Sequence, residues 1–369
     1  MMIISSGGVA NSTTINSGGK MYISSGGVAN STVVSGYSYF GASASLVIHD
    51  GGVANSTTVD YFGSMHIHDG GVANSTTVSL FGSMFISSGG VAENTFVSSG
   101  GNMYLSGGIA RNTQIFSGAV ISWADGSAEG VQVNSNASLL VSNMVISDLL
   151  LKERGVAYLS NCTLAGAEVE KLAILQFCSG TVASNVFVSS GGHCYIGKDA
   201  VVSGSFTIES GSTVIAFTGS ELNFTVDALT AGNTQALVNN LAAIRGNIDY
   251  SLTVSTDQAA GIYRLADGVT AFNKKVQLAC GENLWDAVIL DQTYSNDNMS
   301  FELFVQDNSL YLEITDLTTA QASDMSAFDS GSGDITAYNN SYDGLENTAA
   351  TDSIANDSSN DPFKNGFIA

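Results

Sequence analysis

Short apolar runs alternate with glycine turns along the N-terminal part of the chain, and the alternation is periodic. The string SSGGVANSTTI at residues 5–15 returns almost unchanged at 24–34. Its glycine pair begins at residues 7, 26, 51, 70, 89 and 107, so the steps are 19, 25, 19, 19 and 18 residues. Turns this close together leave no room for a helical period, and the Val, Ile, Thr, Tyr and Phe between them favour short strands.

Equivalent positions of successive repeats carry similar residues, which predicts columns running through a stack. Successive side chains of a strand point to opposite faces, so alternate apolar positions are expected inside. The two predicted inner columns are Met21, Leu46, Met65, Met84 and Met103, and Ile23, Ile48, Ile67, Ile86 and Leu105. The predicted outer columns are Tyr22, Val47, His66, Phe85 and Tyr104, and, beside a turn, Phe40, Phe62 and Phe81.

A unit of about 19 residues cannot bury a core alone, but it can do so when stacked on copies of itself. We therefore predict an all-β chain whose residues 1–226 form a parallel β-helix, or β-solenoid, of about eleven coils spaced about 4.8 Å apart. The motif blurs from 119 to 170, returns at 178–196 and fades near 219. The pattern leaves open whether each coil contains two strands or three.

A different pattern follows the repeats. The spacing of Leu237, Leu241 and Ile244 predicts a short helix within 230–246, and longer strands are predicted at 250–256, 261–267, 299–307 and 309–315. The last two flank Asp307-Asn308, which predicts a hairpin. We expect residues 227–316 to form a small α+β capping module, and the Ser-, Asp- and Asn-rich residues 317–369 to be a flexible acidic linker or tail.

The charge balance narrows the range of partners. The chain has 33 acidic and 11 basic residues, for a net charge of −22, so nucleic acid and anionic membranes are unfavourable partners. It has no apolar run long enough to span a membrane, and no signal peptide is visible at its start. Because it opens in mid-repeat, we expect it to be a fragment of a longer protein.

The repeat GGVANSTTV…SGG at 19-residue spacing resembles that of the bacterial autotransporter adhesins of the diffuse-adherence (AIDA-type repeat) family. The match covers 5–118 and 178–196, and the C-terminal module resembles segments that follow such repeats in large surface proteins of anaerobic bacteria. The resemblance implies an extracellular β-helix on a bacterial outer surface, and it implies heptose added to repeat serines by a glycosyltransferase. The matching candidate acceptors are Ser5, Ser6, Ser24, Ser25, Ser87 and Ser88.

Two departures from the repeat are further candidates for function. His49-Asp50 and His68-Asp69 replace the Ser-Ser pair one coil apart. A surface turn ladder is favoured over a metal site there, because zinc takes three or four converging ligands. The 25-residue step adds a loop with Tyr37, Tyr39 and Phe40, which is either a binding loop or a cover for a flat edge.

The asparagines of Asn-Ser-Thr, at Asn11, Asn30, Asn55 and Asn74, are expected to form an amide ladder at a coil corner rather than to carry sugar. Cys194 falls in the column of Met21, one coil from Leu175 and too far from Cys178 for a disulfide. We expect a buried thiol there. The sequence does not place Cys162 or Cys280.

These features favour a structural adhesin, a rod that binds cell-surface glycans or proteins of a host or neighbouring cell, or copies of itself. We expect no catalytic residue, no metal, no cofactor and no membrane insertion by this chain. One alternative is a carbohydrate-active β-helix enzyme, which needs clustered carboxylates in a groove, whereas Lys20, Arg111, Asp125 and Glu129 lie singly. The other is a component of a phage tail fibre.

Overall fold

The computed structural model describes residues 1–37, 43–269 and 272–317, and it shows a parallel β-solenoid of about 11 coils of about 19 residues. Each N-terminal coil contains three short strands, one on each of three faces. Face 1 contains Met2–Ile4, Lys20–Ile23, Ser45–Ile48, Ser64–Ile67, Ser83–Ser87 and Asn102–Ser106. Face 2 contains Val9–Asn11, Val28–Asn30, Val53–Asn55, Val72–Asn74, Val91–Glu93 and Ile109–Arg111. Face 3 contains Thr14–Ile15, Val33–Ser35, Thr58–Asp60, Thr77–Val78, Phe96–Val97 and Gln114–Ile115.

The two predicted inner columns and the outer column through His66 are confirmed. Met21 pairs with Leu46, Leu46 with Met65, and Met65 with Met84, all in parallel register. The members of both inner columns are 0–2% exposed, whereas the column through His66 and Phe85 faces outward and is partly exposed. The six-residue insertion before residue 45 leaves the register intact, since Val34 still pairs with Val59.

The stack continues where the motif blurs. Val120–Val133 and Ser138–Leu151 each run around all three faces as one continuous strand. The stack goes on through Val156–Ser160, Thr163–Val169, Ile174–Phe177, Val182–Val188, His193–Ile196, Val201–Ile208 and Thr213–Thr225. The coil shortens to 18 residues at the corner between faces 1 and 2, where three residues separate Leu105 from Ile109 but four separate Ile86 from Val91.

The two glycines of each turn have different roles, as the corner between faces 3 and 1 shows. Gly100 has a left-handed backbone with φ of 75°, which favours glycine. Gly101 does not, but a Cβ there would lie 2.3 Å from the carbonyl oxygen of Val78 in the preceding coil. The first glycine therefore meets a conformational requirement, and the second allows the close approach of two coils.

The helix predicted within 230–246 is wrong. The segment contains only a 3-10 turn, Leu241–Ala243, and Val238 forms isolated parallel bridges with Phe206 and Ala266. Leu237 and Leu241, which mimic a helical spacing with the partly buried Ile244, are buried because their backbone lies between neighbouring strands of the stack. Parallel pairing continues from Thr213–Thr225 to Ile244–Val254 and then to Val276–Cys280.

The C-terminal strands end in a hairpin, as predicted. Met299–Gln306 and Ser309–Asp316 pair antiparallel, and Asp307 and Asn308 both have positive φ, as a type I′ turn requires. Gly261–Asp267 and Thr293–Ser295 complete this four-stranded sheet, and Asn283–Val288 pairs with Val276–Cys280. In the described part of the chain, every helix is too short or too polar to span a membrane. The acidic segment beyond residue 317 lies outside the described residues.

Candidate functional site

The candidate acceptor serines lie on the corner between faces 1 and 2. Backbone hydrogen bonds hold this corner: the Ser24 amide donates to the carbonyl of Ile4, and the Gly27 amide donates to the carbonyl of Ser24. Ser6 and Ser25 have left-handed φ values of 53° and 49°. Ser5, Ser6, Ser25 and Ser88 are exposed, and Ser24 and Ser87 are partly exposed. All six serines are therefore accessible from solvent.

At the same corner, the imidazoles of His49 and His68 stack, with ring centroids 5.1 Å apart and planes 11° apart. Parallel rings do not aim their nitrogens at a common point, as a metal site requires. Nor do the described residues contain a group of three or more His, Cys, Asp or Glu that could hold a metal ion. The Asp50 carboxylate lies so close to Gly70 of the next coil that a Cβ there would be 2.2 Å from it.

His66 belongs to an outer aromatic column. Its ring stacks on Phe85 at 4.7 Å, and Phe85 stacks on Tyr104 at 4.8 Å. Burial lowers the pKa of His66 from its usual value, and the nearby His68 lowers it further. His66 therefore favours the neutral state in the folded chain.

The candidate binding loop is described only at its start. Tyr37 is 75% exposed, and its amide donates to the Ser17 hydroxyl, whereas Tyr39 and Phe40 lie outside the described residues. The column predicted through Phe62 and Phe81 exists as a stacked pair of exposed rings. These two phenylalanines and the preceding Tyr61 and Leu80 adopt left-handed backbones, which the repeat pattern does not predict.

The asparagine ladder is confirmed. The side-chain amides of Asn30, Asn55 and Asn74 each donate to the Asn carbonyl oxygen of the preceding coil at 2.9 Å. The left-handed residue is the one after each asparagine, for example Ser31 and Ser56. In the next coils, Arg111 takes the ladder position and pairs with Glu93 at 3.4 Å and Glu129 at 3.6 Å.

The buried thiol is confirmed. Cys194 pairs with Leu175 in register and is fully buried, and this burial raises its pKa to about 12. Cys162 is buried at a coil corner, where its thiol faces the carbonyls of Ser160 and Val141. Cys280 is buried near Asn296 in the C-terminal part. No disulfide joins any two of the four cysteines in the structure.

An open groove of about 470 Å³ runs along the corner between faces 2 and 3. It forms where Gly130 and Gly166 leave gaps between larger side chains, and Asp148 and Glu168 line it. Both acidic residues are exposed. They therefore lack the desolvated setting that adapts a carboxyl group to proton transfer.

The fold and its repeats have a counterpart among solved structures. No protein-family model and no curated protein sequence matches the chain. A crystal structure of a hyper-glycosylated TibA fragment, residues 55–350, whose glycosylation TibC catalysed, matches with 26% identity and a TM-score of 0.51. The match covers 78% of this chain and 93% of the fragment. The chain carries an autotransporter-adhesin-like repeat.

Proposed function

We propose that the chain is the passenger, or part of the passenger, of a bacterial surface adhesin, acting outside the cell in adhesion or self-aggregation. The supporting observation is the exposed repeat corner on a solenoid that is similar to a TibA fragment. A rod of stacked coils displays the same side chain at regular intervals of about 4.8 Å, which suits multivalent contact with a surface. We further assign the repeat to the AIDA type, on the GGVANSTTV pattern.

A glycosyltransferase is the partner that we propose for the corner serines. Ser5, Ser6, Ser24, Ser25, Ser87 and Ser88 are all accessible, and each pair lies at the corner between faces 1 and 2. In the 18-residue coils, the loss of one residue removes the Ser-Ser pair, so that only Ser106 remains beside Gly107. The acceptor positions would then be confined to the longer corners.

Co-expression with TibC, followed by intact-mass measurement and peptide mapping, tests this proposal. We expect sugar on the corner serines and a smaller mass increment in a double variant, Ser24→Ala with Ser25→Ala. The matched control is Ser45→Ala with Ser64→Ala, which changes two outward serines on the strands of face 1. Unmodified corner serines, or equal losses in the two double variants, would contradict the assignment.

Adhesion is tested separately from sugar attachment. The purified chain would be incubated with immobilised glycans and with cells, and both retention and cleavage of the glycans would be scored. Retention without cleavage is expected of an adhesin. Cleavage would favour the alternative of a β-helix enzyme and would overturn the adhesive function.

A further inference from the structure

The corner between faces 3 and 1 contains bulky residues in a conformation that normally belongs to glycine. Tyr61, Phe62, Leu80 and Phe81 have φ values of 39°, 64°, 45° and 67°. Large side chains rarely adopt this left-handed backbone, and it is energetically costly for them. The fold uses a left-handed residue at the Phe62 and Phe81 position in successive coils, but it does not require a large aromatic side chain there, since Gly100 serves the same position.

Glycine occupies the position of Phe81 in the next two coils. Gly100 and Gly118 have φ values of 75° and 79°, and the Phe81 amide donates to the carbonyl of Gly100 at 2.7 Å. The solenoid therefore closes this corner equally well without a side chain. The two phenylalanines are an addition to the turn.

The two phenylalanines form a short stack with an open end. The ring centroids of Phe62 and Phe81 are 5.2 Å apart, and their planes differ by 6°. The next coil continues this column with Gly100, which has no side chain to cover the outer face of the Phe81 ring. Phe81 is accordingly 59% exposed, compared with 42% for Phe62.

The surroundings of the open ring face are polar but nearly uncharged. Ser99 and Ser117, in the next two coils of the same corner, are exposed. Residues 1–100 contain four acidic residues and one basic residue, whereas the whole chain has a net charge of −22. The net negative charge of the chain disfavours an acidic ligand but not a neutral one.

We propose that the open face of Phe81 is a stacking platform for a neutral pyranose, with the hydroxyls of Ser99 and Ser117 at its rim. The C–H groups on one face of a pyranose carry partial positive charge and match the negative face of an aromatic ring. Its edge hydroxyls can pair with serine. The platform rests on the proposed adhesive function and names the ligand class for it.

Ligand-detected NMR by saturation transfer on the full chain tests the platform. Methyl β-D-galactopyranoside is the neutral probe, and its C6-oxidised uronate is the matched acidic probe. We expect saturation to concentrate on H3, H4 and H5 of the neutral sugar and to be weaker for the uronate. Phe81→Gly should weaken binding about tenfold, while the melting midpoint stays equal or rises because the left-handed strain is removed.

A second pair of variants separates blocking from unfolding. Gly100→Asn places an amide over the Phe81 ring, and Asn136 already occupies this corner position with φ of 57°. Gly211→Asn makes the same change at an equivalent glycine of φ 85°, far along the chain. We expect Gly100→Asn to abolish saturation transfer and Gly211→Asn to preserve it.

Any of four results would overturn the platform. The first is no transfer to the neutral sugar in the unmodified chain, and the second is equal transfer in Phe81→Gly. The third is an unchanged sugar signal with reduced self-association of Phe81→Gly in sedimentation, which would assign the stack to a second copy of the chain. If Phe81→Gly retains full adhesion to cells, the platform fails but the proposed function stands. If the unmodified chain adheres to nothing, the proposed function itself fails.

Discussion

The coils before and after residue 119 have different surfaces on the same frame. In most of the earlier coils, the ladder position on face 2 carries stacked asparagines, and glycines occupy the turns on both sides of face 1. In the later coils, the ladder position carries Glu129, Ser147 and Ala165, yet the strands remain in register. What the two regions share is a set of buried apolar columns and a left-handed residue at each corner. These two features are the requirements of the fold, whereas the polar residues of the repeat can be replaced by other residues.

The glycine column at the corner between faces 3 and 1 provides the strongest test of this comparison. Gly82 would place a Cβ 2.1 Å from the carbonyl oxygen of Val59, whereas the equivalent residue in a later coil is Ala137. We expect Gly82→Ala to destabilise the chain by about 3 kcal/mol through overpacking, measured by denaturant unfolding. The reverse change, Ala137→Gly, should cost about 1 kcal/mol at most. Equal costs would show that the coils approach each other equally closely in both regions.

A buried column of threonines in the earlier coils is a second difference between the two regions. Thr57, Thr76 and Thr95 are buried, and their hydroxyls have no hydrogen-bond partner among the described residues. The same column continues with Val131 and Leu149 in the later coils.

A buried hydroxyl without a partner is costly, so Thr76→Val should raise the free energy of unfolding by about 1–2 kcal/mol. The reciprocal change, Val131→Thr, should lower it by a similar amount. Both are measured by denaturant unfolding against the unmodified chain. A loss of stability in Thr76→Val would show that its hydroxyl is hydrogen-bonded in solution.

The asparagine ladder should have a smaller effect. Asn55 donates one ladder hydrogen bond and accepts another, so Asn55→Ala should cost about 1 kcal/mol, because such bonds compete with water. Ser147→Ala, at the equivalent position of a later coil, is the matched control and should change stability by less than about 0.5 kcal/mol. The thermal unfolding midpoints of the two variants give the comparison. A larger loss for Ser147→Ala would mean that the later coils depend on their polar surface as well.

The smallest effect concerns pH. Because the pKa of His66 is lowered in the folded chain, the unfolded chain binds more protons just below the usual histidine pKa. The neutral His66 ring therefore contributes stability to the folded chain above about pH 6.5, and this contribution is lost as the pH falls through the pKa that His66 has in the folded chain. We expect the melting midpoint to fall between pH 7.5 and 5.5, and the fall to be smaller in His66→Phe, which copies Phe85 of the next coil. An identical pH profile in both proteins would exclude His66 as the source.

The sequence predicts most of the solenoid because each residue type recurs where stacking requires it. Met65 and Ile67 indicate the inner face because apolar residues alternate along their strand. Asn55 indicates a ladder because asparagine recurs at the same position of successive repeats. The helix expected at 230–246 fails because Leu237 and Leu241 satisfy a local spacing, while the burial of Val238 comes from distant strands. The strain at Phe81 was equally hidden. The pair Phe81-Gly82 suggests glycine as the left-handed residue, but Gly82 is needed for close approach and Phe81 has the positive φ.

The insertion before residue 45 has a practical consequence. Six additional residues enter between two coils, and both flanking pairs, Val34 with Val59 and Met21 with Leu46, keep their register. A solenoid contact depends only on the neighbouring coils, so extra length at a corner need not propagate along the stack. We therefore expect this corner to accept foreign peptide sequences and to present them from the side of the rod.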